Sequence, residues 1–150
     1  MLTRKKGKIK AEYDERQELA RGRGYKWGFL TFAVFMLIFG SLTLWDIEVP
    51  VEQPILWFGS VILAITVTCV YFVWNDCLIG LEDDRTTAVM FWVVLIPNLL
   101  GGVSNIVTGK IIRDGKLSIA SFNYLFVIFA LAILISRPAR KAADKREEDL

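Results

Sequence analysis

At 150 residues the chain has the length of one ordinary domain, yet 54% of it is hydrophobic, its mean hydropathy is +0.44, and its formal net charge is only +2. The charged residues crowd into the two ends and the short connections, which excludes a soluble core built from helices with alternating apolar and polar faces. Histidine is absent, and with it the usual general base, proton shuttle and commonest metal ligand.

Residues 1–26 form a basic cytoplasmic segment in two parts. TRKKGKIK is a cationic cluster in which each Lys or Arg contributes about 1 kcal/mol of attraction to anionic lipid headgroups. From Ala11 to Arg21 good helix formers, with Glu12 and Arg16 at i,i+4 and Glu18 and Arg21 at i,i+3, predict a short helix. Gly22 and Gly24 weaken it just before Tyr25 and Trp27. The plain interpretation is a solvated, charge-paired helix lying on the membrane. The sharper one is a docking element, with Asp14, Glu15, Arg16 and Gln17 facing a cytoplasmic partner and the glycines as a hinge; composition favours the plain one.

Four runs follow that carry no Asp, Glu, Lys or Arg for about 19 residues, the length that crosses a hydrocarbon core of roughly 30 Å. They are Trp27–Trp45, Pro54–Trp74, Ala88–Thr108 and Ile119–Ser136. Open sheets cannot satisfy their backbone in lipid, and the runs lack the alternation of a barrel strand, so all four are expected to be helices. The predicted fold is an all-α membrane protein, a four-transmembrane-helix antiparallel bundle spanning 27–136. Its first span is expected to stay attached, because the charged lead is long and no A-x-A-like cleavage site follows.

The first connection, 46–53, reads as a stiff acidic turn with Asp46, Glu48, Glu52 and two prolines. The second span carries a small, weakly polar stripe, Ser60, Ala64 and Thr68. Cys69 lies within that span and Cys77 just past it, about 12 Å apart along a helix and so too far for a disulfide. The connection 75–87 holds Asp76, Glu82, Asp83 and Asp84 without the ligand spacing of a calcium loop; capping of the third span by Asp83 or Asp84 is the better expectation.

The stretch YDERQELARGRGYKWGF, together with VWNDCLIGLEDD, resembles an uncharacterised group of small multi-pass membrane proteins of Gram-positive bacteria that carry an Asp-Glu-Arg-Gln segment ahead of the first span. The resemblance covers roughly residues 13–84 and implies a bacterial plasma membrane (inner membrane); it implies no activity.

The third span is the least ordinary. Eleven Leu, Ile, Val and Phe between Val89 and Val107 favour insertion by roughly 3 to 7 kcal/mol, against which stand Asn98, Asn105 and the backbone bond lost at Pro97. Asn98, Gly101, Gly102 and Asn105 fall at i, i+3, i+4 and i+7 and make one small, polar face. The expectation is that this stripe packs against the stripe of the second span, or against a second copy, with interhelical hydrogen bonds of about 0.6 to 2 kcal/mol. The alternative is a helix broken at Pro97 and the Gly pair that exposes carbonyls to a solute or ion. In the next connection, Asp114 and Gly115 between apolar flanks signal a hairpin. The tail 137–150 opens basic and closes acidic, a short exposed helix.

Orientation follows from Lys and Arg. The two ends and 75–87 together contain fifteen, the connections 46–53 and 109–118 only three (Lys110, Arg113, Lys116), which places both termini in the cytoplasm. Trp27, Trp45, Trp57, Tyr71 and Trp74 sit at span ends as interfacial rings do, and Trp92 lies deeper. No span contains a carboxylate for proton coupling, and no Ser in one has a base beside it. An enzyme is therefore not expected, nor is a cofactor or metal. The leading expectation is an interaction, accessory or regulatory subunit. Its alternatives are a small oligomeric channel or transporter using the third span, and a membrane stress or immunity protein.

Overall fold

The computed structural model describes residues 15–75, 77–78 and 84–148. Four helices account for most of it: α1 (Glu15–Leu44), α2 (Gln53–Trp74), α3 (Asp84–Val107) and α4 (Phe122–Glu148). Between α3 and α4 lie a two-stranded hairpin, β1 (Ile112–Arg113) and β2 (Lys116–Leu117), and a 3-10 turn, Ile119–Ser121. All four helices are long and apolar enough to cross a membrane. Asp14, Asp76, Glu82 and Asp83 lie outside the described residues.

One correction concerns α1. Its 30 residues form one helix of about 45 Å that runs from Glu15 through Gly22 and Gly24 without a break, so the glycines are not a hinge between two segments. Glycine inside a helix costs roughly 0.5 to 1 kcal/mol relative to Ala. At Gly24 and Gly28 that cost is offset by close packing, since both are buried against α2. A Cβ on Gly24 would overlap the Phe72 ring, and one on Gly28 would overlap the Thr68 hydroxyl. Tyr25 meets Phe72 edge-on, with ring centroids 5.2 Å apart.

The contacts between the helices are more specific than a bundle of four. The principal contacts are α1 with α2, α2 with α4, and α4 with α3, so the helices stand in a row, α1–α2–α4–α3. The neighbours α1 and α2 run antiparallel, as do α3 and α4. The central pair, α2 and α4, runs parallel: Phe58 meets Phe122 near both N-terminal ends, and Arg140 reaches Val73 near the other. Of the most apolar part of each helix, 28% is buried in α2 and in α4 but only 6% in α1 and 11% in α3, as expected of inner and outer members of a row. In lipid an apolar outer face carries no hydrophobic penalty, so an outer helix needs only one neighbour. The buried centre of the α3–α4 contact is Leu95, Val127 and Ala130, flanked by Phe91, Val94 and Leu134.

One end of the row is knitted together. Asp114 (φ 52°) and Gly115 (φ 76°) are both left-handed, the two-residue turn that Asp-Gly favours, and they set the register Ile112 with Leu117 and Arg113 with Lys116. Leu117 also bridges Val51 of the α1–α2 connection: its N–H donates to the Pro50 carbonyl (2.8 Å) and its carbonyl accepts from the Glu52 N–H (2.9 Å). The Glu52 carboxylate then accepts from the Ile119 N–H at 2.8 Å, capping the 3-10 turn. Ser118, buried beneath, donates to the Lys110 carbonyl and accepts from the Ala120 N–H.

The glycines yield a sharp test. Gly28→Val is expected to weaken the α1–α2 contact by about 1 to 3 kcal/mol through overpacking. Gly22→Ala and Gly40→Ala, where an added Cβ meets nothing within 4 Å, should be neutral or stabilise by up to about 1 kcal/mol. Denaturant unfolding in mild detergent separates the two outcomes, and a destabilising Gly22→Ala would restore the hinge.

Candidate functional site

Three places carry the side chains with chemical content, and the first is the polar stripe of α3. The helix is continuous through Pro97, Gly101 and Gly102, so it is not a broken helix with exposed carbonyls. Gly101 and Gly102 of the stripe meet α4, and Asn105 meets the 3-10 turn before it. The Asn105 amide donates to the Ala120 carbonyl at 2.9 Å, and the Tyr124 hydroxyl donates to the Gly102 carbonyl at 2.8 Å. A Cβ on Gly101 would stand 2.9 Å from the Asn123 amide nitrogen, and one on Gly102 would stand 3.1 Å from the Tyr124 ring. Asn98 turns back onto its own helix and donates to the Val94 carbonyl at 2.8 Å.

The stripe of α2 meets different partners. Ala64 and Thr68 pack on Gly28 of α1, and the Thr68 hydroxyl donates to the Ala64 carbonyl at 2.9 Å. Ser60 is buried and donates to the Trp57 carbonyl at 2.6 Å. The two stripes therefore do not pack together, because α4 stands between α2 and α3. Sequence reasoning missed Asn123 and Tyr124, which read only as the start of a span. It also missed Gly24 and Gly28, whose small-x-x-x-small spacing was available as a close-packing signal.

The second place is the part of α1 that precedes its apolar stretch, Glu15 to Lys26, about 18 Å of helix. Glu15 and Arg16 are exposed and Gln17 is half-buried, so these residues do not share one outward face. The half-buried Gln17, Ala20 and Arg21 continue the line of Gly24 and Gly28. The opposite face carries a shallow cleft along Glu15, Glu18, Leu19, Gly22, Arg23 and Lys26. Leu19, 67% exposed among charges, is the large apolar residue there, and nothing in the sequence pattern singled it out.

The third place is the C-terminal end of α2. The Arg140 guanidinium, on the charged continuation of α4, donates to the Val73 carbonyl at 2.7 Å, and the Asn75 amide donates to the Tyr71 carbonyl at 2.8 Å. The Cys77 N–H reaches the Phe72 carbonyl, and its thiol is buried on the Asn75 carbonyl. A cation at a helix C-terminus both satisfies an orphan carbonyl and opposes the helix dipole. Cys69 and Cys77 are not joined by a disulfide, and no group of three or more Cys, Asp or Glu able to hold a metal occurs among the described residues.

The two amides of α3 should separate on mutation. Asn105→Leu removes a bond between elements and is expected to cost about 0.6 to 1.7 kcal/mol, as is Tyr124→Phe. Asn98→Leu removes only a bond within the helix and should cost less, and equal losses measured by unfolding in detergent would contradict this assignment. Comparison of the chain with protein-family models, with curated proteins and with solved structures finds no match.

Proposed function

We propose that this chain is a non-catalytic multi-pass protein of a bacterial plasma membrane, with both termini cytoplasmic, that serves as an accessory or regulatory subunit. Its α1 extension is the surface offered to a partner. The observation that carries the reading is the unbroken α1, because a helix continuous with a span presents Glu15, Arg16, Glu18 and Leu19 at a fixed distance from the membrane. An exposed leucine ringed by charges has the form of an anchor in helix-in-groove recognition, with the charges setting partner choice and encounter rate. The excess of Lys and Arg at the ends and in 75–87 supports the inward orientation.

The channel reading draws less support. Its proposed pathway, the face of Asn98, Gly101, Gly102 and Asn105, is spent on contacts with α4, the 3-10 turn and the helix itself.

Mild-detergent copurification of the tagged chain, with mass determination of the intact assembly, tests the proposal. A stoichiometric foreign chain is expected. Scrambling Asp14 to Gln17 or introducing Leu19→Glu should lower its recovery at least about tenfold, the effect of losing roughly 1.4 kcal/mol of interaction. Recovery unchanged by both substitutions, or a homogeneous self-assembly with no foreign chain, would overturn it.

A further inference from the structure

Two apolar grooves flank the α1–α2 contact, and they differ in the charges that stand at the end where α1 enters its apolar stretch. The groove beside Gly28, Phe29 and Phe32 has a volume of about 520 Å³. One turn beyond Tyr25 on that flank, Arg21 is already engaged with the Tyr25 hydroxyl (3.5 Å). Glu18, further out on the same flank, is negative.

The opposite groove, about 580 Å³, is lined by Trp27, Val67, Val70, Tyr71 and Trp74, with Asn75 at the C-terminal end of α2. Trp27 and Trp74 are about half exposed, the posture of indoles at a membrane interface. Arg23 precedes Trp27 by four residues and so stands on the same face about 6 Å nearer the aqueous end. Lys26 follows Arg23 at i+3. Both are exposed, and neither has an ion pair or hydrogen bond among the described residues. Two unpaired like charges at that spacing repel, and an anion between them relieves the repulsion. Glu15 and Glu18 line the outward cleft together with these cations; along the axis Glu18 stands about 7.5 Å from Arg23 and about 12 Å from Lys26.

We propose that this groove binds one anionic glycerophospholipid, with its phosphate between Arg23 and Lys26 and one acyl chain along Trp27, Val67, Val70 and Trp74. The lipid fits both halves of the site: apolar walls open to the bilayer lie below, and unpaired cations stand at headgroup level above. The inference rests on the helices spanning a membrane; Arg23 and Lys26 also line the outward cleft of α1 beside Leu19, so a bound phosphate and a docked partner would share these two cations.

The test uses the chain with Trp45, Trp57 and Trp92 changed to Phe, leaving the two groove indoles, in vesicles of dibrominated phosphatidylglycerol or dibrominated phosphatidylcholine. Phosphatidylglycerol should quench with about fivefold or greater relative affinity. Arg23→Gln with Lys26→Gln should bring that preference to about one. Lys145→Gln with Arg146→Gln, far out on α4, should leave it intact. Equal affinity for both lipids, a preference that survives loss of Arg23 and Lys26, or an equal loss with Lys145 and Arg146 would each overturn the site. So would indoles that neither lipid quenches, the result of a second copy or partner helix seated in the groove. Native mass spectrometry of the unaltered chain with the same two lipids checks the outcome without the Trp substitutions. One retained phosphatidylglycerol that depends on Arg23 and Lys26 supports the proposal, and a statistical ladder of lipids opposes it.

Discussion

How closely two backbones can approach decides the rest of this structure. Helices surrounded by lipid gain nothing by hiding apolar surface from water, so their association depends on dispersion contacts and on hydrogen bonds short enough to form. Both conditions are met where a Cβ is missing. Gly24 and Gly28 let α1 settle onto Phe72 and Thr68, while Gly101 and Gly102 let α3 settle onto Asn123 and Tyr124. The polar contacts depend on that proximity, since the Tyr124 hydroxyl reaches the Gly102 carbonyl only because nothing stands between the ring and the backbone. The central pair is different. The parallel α2–α4 contact uses Gly59 against Leu125 and the Phe58–Phe122 edge, an ordinary side-chain interface, and is clamped at its far end by Arg140.

The two ends of the row are built for different purposes. At one, the backbone of 50–52 pairs with Leu117, and the Glu52 carboxylate caps the 3-10 turn, so the α1–α2 connection and the β-hairpin become one small unit. The exposed Lys116–Glu48 ion pair at 3.8 Å adds little to it. At the other end, α1 and α4 both run on past their apolar stretches as charged helices. Arg140 ties the α4 continuation to the end of α2, whereas the outer face of the α1 continuation is left to the cleft around Leu19.

The number and type of the long elements were legible from apolar run length alone, because the bilayer demands about twenty uncharged residues per span and forbids open strands. The hairpin was legible in Asp114-Gly115 for an equally local reason, the need for positive φ at two successive positions. Neighbour choice was not. The stripe Asn98–Asn105 was recognised as a packing face, but small residues announce that something approaches without saying what does. Adjacency in sequence pointed to α2, and the structure inserts α4. Gly24 failed for a related reason. A missing Cβ serves a bend and a close contact equally well, and only its spacing of four from Gly28 favours the contact. The boundaries of α1 and α4 were placed at the edge of hydrophobicity, although a helix that leaves lipid keeps its internal hydrogen bonds and stops only where its capping or sequence stops it.

The row also determines which helix a bound molecule can move. Displacing α4 breaks contacts on both of its sides and the Arg140 bond besides, whereas α1 has one principal neighbour and one line of contact, Gly24, Tyr25 and Gly28 on α2. An outer helix held along a single seam is drawn from the less stable part of a structure, where local rearrangement costs least. A ligand shifts such an element only by its difference in affinity between two positions, so it must touch α1 close to the seam or be rigidly joined to it. A partner on the extension meets the second condition because the helix is unbroken. A lipid between α1 and α2 meets the first because Trp27 and Trp74 are its walls. On this reading both would act on one coordinate, the seating of α1 on α2, and the absence of Cβ atoms at Gly24 and Gly28 is what makes that coordinate sensitive to fractions of an ångström.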